Sequence, residues 1–206
     1  IQSLMIKSFE LAHNEEKSKE VKNSLITDYA IILLKYNKFN LFNFWVEKHI
    51  ATKDQKLKSS LLNLQGILAY QENRLIEALD FWKRAISFDK TNQSSSLNLS
   101  FIYLKYGEFK KAEKILDSLD DNWFVLHAKA IIYRMMDKVN ESRNIYKKII
   151  KERSYVKSIL FNYGIYLHQI NNDIFYAKQY IKKSKSKSDS NLLLNRTADK
   201  VLNEIE

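Results

Sequence analysis

The side chains of this 206-residue chain whose types could ligate a metal, move a proton or grip an anion are few and scattered. Histidines stand at 13, 49, 127 and 168, no two of them at the i, i+4 spacing that sets a pair of imidazoles on one helix face. Cysteine is absent, which removes thiolate ligands too, so neither a metal site nor a cofactor is expected. His127 and His168 read instead as partner-contacting or solvated side chains. Asp120 and Asp121 pair two carboxylates as an acid–base site would. They directly precede a helix start at Asn122, however, where a side-chain oxygen is needed to accept free N–H groups, and capping is the reading adopted. No nucleophile sits beside a base in a recognisable turn, so no catalytic residue is assigned and the chain is not read as an enzyme. Lys178, Lys182, Lys183, Lys185 and Lys187 form the densest cationic run, at a helix end where cations offset the macrodipole. The same run suits RNA or an anionic lipid surface. Of the 34 cations behind the net charge of +10, only six are arginine, the residue that carries most base readout. Nucleic-acid recognition is therefore not favoured, and membrane contact is expected only as peripheral basic contact.

The elements that must position these groups follow from composition. Proline is absent and glycine occurs three times, poor material for the turns of β structure and suited to helices with short connections. Hydrophobic residues make up 45% and charged residues 28%, enough for both a core and a hydrated surface. The fold class expected is all-α. No apolar run has the eighteen or so residues that cross a bilayer. The chain opens at Ile1 rather than methionine, as a processed product or an excised fragment would. Lys, Asn, Ile, Tyr and Phe are all heavily used, as AT-rich codons produce, and a bacterial source is expected. The compartment, bacterial cytoplasm or periplasm, stays open.

One unit is written repeatedly. Gly66 and Ala78, twelve residues apart, match Ser100 and Ala112 at the same separation and an offset of 34. Trp82 and Ala85 then match Leu116 and Leu119. Small residues at Ala30, Gly66, Ser100, Ala130 and Gly164 anchor five copies, starting near 23, 59, 93, 123 and 157. Twelve residues on come Phe42, Ala78, Ala112 and Ser142, with Ala177 after a one-residue insertion. Such positions are where two helices cross closely, and Val46, Trp82, Leu116, Tyr146 and Ile181 fill the space four residues further along. Gly107, Asn37, Asn73 and Asn171 fall where the first helix of a pair must stop, in the left-handed conformation that glycine and asparagine tolerate. A period near 34 marks an array of helical pairs. Residues 1–20 read as an N-terminal helix that belongs to an upstream repeat, and 189–205 as a capping helix started by Ser188 or Asp189, with Leu193, Ala198, Val201, Leu202 and Ile205 on its apolar side.

The segment Leu62-Asn-Leu-Gln-Gly66 with Ala78, Trp82 and Ala85 resembles the tetratricopeptide repeat, and 93–119 follows it with serine for glycine. The resemblance spans about 23–187, with Phe42 and His49 as departures in the first copy and no proline at any repeat end. It implies a single domain over 1–206, a right-handed α-solenoid of five helix pairs with capping helices, whose concave groove is lined by the first helix of each pair. It further implies ligand contacts at recurrent first-helix positions. These are Ile31, Asn63, Ile67, Tyr70, Leu97, Phe101, Leu104, Phe124, His127, Ile131, Arg134, Phe161, Ile165 and His168. Two readings of the apolar members stand side by side: packing between neighbouring first helices, or a channel for a peptide or amphipathic helix of another protein. The lysine and asparagine clamp that some of these repeats use for a chain-terminal carboxylate is matched only by Asn98. The function expected is a non-catalytic adaptor or scaffold, in a bacterial envelope or motility assembly by family analogy. The alternatives are a polyanion binder acting through the basic surface and a self-associating scaffold, a homo-oligomer.

Overall fold

The computed structural model describes Lys7, Leu11 and residues 18–153, 156–171, 173–185 and 192–205. Among these the chain forms eleven helices and no strand. They are α1 (Lys19–Lys35), α2 (Phe39–Ile50), α3 (Gln55–Gln71), α4 (Leu75–Phe88), α5 (Gln93–Lys105), α6 (Phe109–Asp117), α7 (Trp123–Met135), α8 (Val139–Arg153), α9 (Lys157–Asn171), α10 (Ile174–Ser184) and α11 (Leu192–Ile205). The helix expected at 1–20 lies outside the described residues, apart from helical Lys7 and Leu11 and the segment from Ser18. Ser188, Asp189 and the side chain of Leu193 lie outside them as well. Two compact units divide the chain, residues 1–102 and 103–206, and the division falls inside α5.

Four turns within pairs share one construction. In each, one N–H reaches back five residues: Lys38 to Leu33, Arg74 to Ala69, Glu108 to Tyr103 and Lys138 to Tyr133, all at 2.8 Å. The residue before it reaches back three, at 3.0–3.2 Å, and has a positive φ: Asn37 55°, Asn73 59°, Gly107 74°, Asp137 60°. This pair of hydrogen bonds satisfies carbonyls that a helix end would otherwise leave exposed, and it demands a left-handed residue. Asp137 does this work although it was not among the residues expected to. Asn171 does not: it lies inside α9, and after the inserted residue the Asp173 N–H reaches back six residues to the Leu167 carbonyl, at 3.1 Å.

In the first unit the small anchors are enclosed. Ala30 and Ala78 are fully buried, and a Cβ placed on Gly66 would stand 2.5 Å from the Trp82 indole nitrogen. That indole donates to the Asn63 carbonyl at 3.2 Å, so α4 is locked to α3 at its point of closest approach. Phe42 is fully buried in the place of a small residue, and Trp45, one residue before Val46, donates to the Ile26 carbonyl at 3.0 Å. The first copy thus reaches an equivalent indole-to-carbonyl tie with different residues. α1 and α3 start one turn before residues 23 and 59. For α3 the reason is Asp54, whose carboxylate accepts from the Leu57 N–H at 3.1 Å and whose pKa is lowered chiefly by that bond. Ser59 is buried instead, donating to the Ala85 carbonyl and accepting from Asn92, each at 2.8 Å.

The second unit repeats the principle. Ser142 donates to the Ala130 carbonyl at 2.8 Å, across the α7–α8 crossing. On Gly164 a Cβ would lie 2.5 Å from Ile181. Tyr146 and Tyr166, both fully buried, pack with Tyr163 between α8 and α9 at ring separations of 5.4–5.8 Å. Burying one such side chain contributes about 2–3 kcal/mol. Ala198, Leu202 and Ile205 place α11 against Ile181, and Phe161 and Ile165 pack onto the same cluster. The cap of α7 comes from Asn122, whose oxygen accepts from the N–H groups of Phe124 and Val125, and not from the aspartates before it. Asp121 is held instead by Lys129, at 3.0 Å. No described helix is long and apolar enough to cross a membrane.

Candidate functional site

The first helix of each pair carries a row of apolar side chains at corresponding positions, and burial separates them. In the first unit Ile31 and Phe101 are each 45% exposed and Tyr70 40% exposed, whereas Ile67 and Leu97 are half-buried, Ile67 against the core of that unit. Asn63 is buried, and its side-chain oxygen accepts from Asn98 at 3.0 Å, which ties α5 to α3. Asn63 therefore serves the joint between first helices and leaves Asn98, half-buried, nearer the surface. Leu104 lies one turn beyond Phe101 on α5 and is half-buried.

In the second unit Phe124 is 54% exposed and stacks on Trp123, while Met135 is 49% exposed. Ile131 is half-buried. Phe161 and Ile165 are half-buried under the contact with α11, so that helix occupies part of the row. The polar members come together differently from the apolar ones. Asn162 directs its amide nitrogen at His127 Nε2, 3.2 Å away, and at the Ser158 carbonyl, 2.9 Å away. An acceptor nitrogen requires neutral imidazole, and burial pushes the His127 pKa down to about 4. The spacing of 35 residues in His127–Asn162 is that of Asn63–Asn98, so each unit joins consecutive first helices by one polar pair at the same register. Arg134 donates to Gln169 further along the same two helices. His168 is half-buried one residue away from Gln169.

Sequence reasoning passed over Asn162 and Gln169. Both had a readable signal, since each follows a polar first-helix residue by 35. Among the described residues no group of three or more histidines, aspartates or glutamates converges as a metal would need. The lysine run is partly engaged: Lys185 pairs with Asp199 at 2.5 Å and Lys183 lies over the Tyr180 ring, while Lys187 falls outside the described residues.

No family model matches the sequence, and no curated protein is similar to it. Solved structures are. A tetratricopeptide repeat protein of Parabacteroides merdae superposes with a TM-score of 0.69 at 14% identity, covering 99% of this chain and 82% of its own. PilF of Pseudomonas aeruginosa gives 0.67 at 12% identity, over 89% of this chain and 86% of that one. YrrB, a repeat protein of this type described as having an unusual peptide-binding site, gives 0.57 at 12%, over 95% and 99%. At such identities the likeness speaks for the fold. Helix pairs of period near 34, closed on small residues and shared with these structures, make this an all-α helical-repeat chain with the tetratricopeptide-repeat fold.

Proposed function

We propose that this chain is a non-catalytic adaptor that holds an apolar peptide or amphipathic helix of another protein along the first-helix faces of its units. The fold is of a protein–protein interaction kind. The observation that carries the reading is the row of corresponding first-helix side chains left open to solvent, above all Ile31 and Phe101, each 45% exposed. Apolar area of this sort, aligned at one register, is what an interaction face offers. A peptide contributes by covering it, and orientation then comes from half-buried polar groups such as Asn98. Similar structures from Parabacteroides merdae and Pseudomonas aeruginosa support a bacterial setting, and by family analogy we assign the adaptor to an envelope or motility assembly.

The test is capture of partners from the source organism by wild type and by Ile31→Arg plus Phe101→Arg. Both side chains are surface members of the row, so the double variant is expected to keep its thermal unfolding within a few degrees, since surface changes cost about 0.5 kcal/mol or less. Loss of the partners that wild type retains is the expected outcome. A folded double variant that keeps every partner refutes the face.

A further inference from the structure

A cleft of about 300 Å³ is walled by α8, α9 and α10 of the second unit, and no residue of the first-helix row lines it. That volume stands at the lower end of the range of small-molecule sites, roughly 300–1,000 Å³. The walls are largely aromatic. Tyr163 of α9 is 8% exposed and meets Tyr180 of α10 edge-on, with ring centres 4.8 Å apart. Tyr176, one turn before Tyr180, is 52% exposed, so the cleft is reached from solvent on that side. From α8 come two cations, Arg143 and Lys147. Four residues apart, they share one face of the helix, and like charges at that spacing repel. The carboxylates of α8, Glu141 and Glu152, fall about half a turn round from Arg143, and neither α9 nor α10 contains one. Arg143 is also held in place: its Nε donates to the Tyr166 hydroxyl at 3.2 Å, which donates to the Val139 carbonyl at 3.1 Å. The one carboxylate lining the cleft is Asp173, which accepts from the Tyr176 N–H at 3.3 Å.

Two cations against one carboxylate leave the lining with a single positive charge, while the tyrosine rings and Leu167 give it flat apolar walls. A phosphate monoester carries about −1.5 to −2 at pH 7 and would overshoot that charge, whereas a carboxylate matches it. Tyrosine walls favour a ring, which packs against them edge-on or offset. We propose that this cleft binds a small aromatic carboxylate. Its ring lies among Tyr163, Tyr176 and Tyr180, its carboxylate meets Arg143 and Lys147, and a donor nitrogen faces Asp173. This chemistry occurs in a free aromatic amino acid and in the last residue of a peptide chain. The two differ in the nitrogen offered to Asp173, an ammonium in one and an amide in the other. The site is separate from the first-helix face and does not rest on the adaptor reading.

Calorimetric titration of the full chain tests this with four probes: N-acetylphenylalanine, phenylalanine, N-acetylphenylalanine amide and N-acetylalanine. A ligand of this size is expected to bind with a Kd of about 1 mM or tighter. Saturable binding of an aromatic carboxylate, weakened about tenfold or more in the amide and in N-acetylalanine, is the expected result. Tighter binding of phenylalanine assigns the site to a free amino acid, and tighter binding of N-acetylphenylalanine assigns it to a chain end. Lys147 is exposed, so Lys147→Glu should leave thermal unfolding nearly unchanged and weaken the carboxylate probes about tenfold or more. No saturable binding, equal binding of the amide or of N-acetylalanine, or undiminished binding by Lys147→Glu overturns the proposal. Any of these leaves the interaction face untouched, since Ile31 and Phe101 belong to the first unit and are tested by their own variant.

Discussion

Replacing Gly66 by leucine should destabilise the first unit by about 3 kcal/mol, more than any surface change in the chain. A Cβ at this position already meets three atoms of the Trp82 ring at 2.5–2.8 Å. The ring cannot swing aside cheaply: Trp82 is 3% exposed and its nitrogen is held by the Asn63 carbonyl. Helix propensity works the other way, since any side chain in place of glycine gains up to about 1 kcal/mol in a helix interior. The steric effect is the larger, and Gly66→Ala should still come out destabilised, though by less. Chemical denaturation checks this, and Gly66→Ala combined with Trp82→Leu should recover part of the loss, because shrinking the ring relieves the collision. Additive losses in the double variant would show that the two residues do not meet. Gly107→Ala is the contrast: nothing lies within 4 Å of a Cβ there, and its cost of about 1 kcal/mol arises from φ of +74° alone.

Acidification from pH 6.5 to 4 should cost the protein about 2–3 kcal/mol through His127, the second largest effect expected. The folded-state pKa of about 4 lies below the unfolded value near 6.5 because burial penalises the imidazolium. Protonation would also turn Nε2 from an acceptor into a donor facing the Asn162 amide, itself a donor. The sign follows: the contribution is complete above pH 6.5, where both states are neutral. It declines as pH falls, because the unfolded chain takes up the proton first. Asp54 does not confuse this window, since a carboxylate with a lowered pKa loses its contribution only below about 3.8. Unfolding free energies measured at several pH values in wild type and His127→Gln decide the matter. The variant should show a markedly flatter dependence between pH 4 and 6.5, and equal slopes would contradict the assignment.

The helix pairs were legible because their constraint is written in residue size. Gly66, Ala78, Ala112 and Ala130 are small wherever two backbones meet, and nothing but close approach asks for smallness at that interval. Left-handed turn residues were legible where glycine or asparagine fills them and missed at Asp137, since aspartate has many other reasons to occupy a loop. Helix starts proved less readable. Asp54 recruits a turn that the repeat pattern does not contain, and Asn122 takes the cap from two aspartates beside it. At the candidate site the pattern fixed which residues sit on first helices but not their burial. Ile67 and Ile31 are equivalent in sequence, yet one packs on the core and the other faces water, because neighbouring helices cover each row unevenly.

The most direct measurement is site-specific photo-crosslinking in cells of the source organism, with p-benzoylphenylalanine at position 101 or at position 76. Phe101 is 45% exposed on a first helix, and Ile76 is 85% exposed on the second helix of a pair, so exposure alone favours position 76. Adducts with another protein at 101 and none at 76 are the predicted result. Adducts at 76 with none at 101 would contradict the first-helix face as the place where this chain meets its partner.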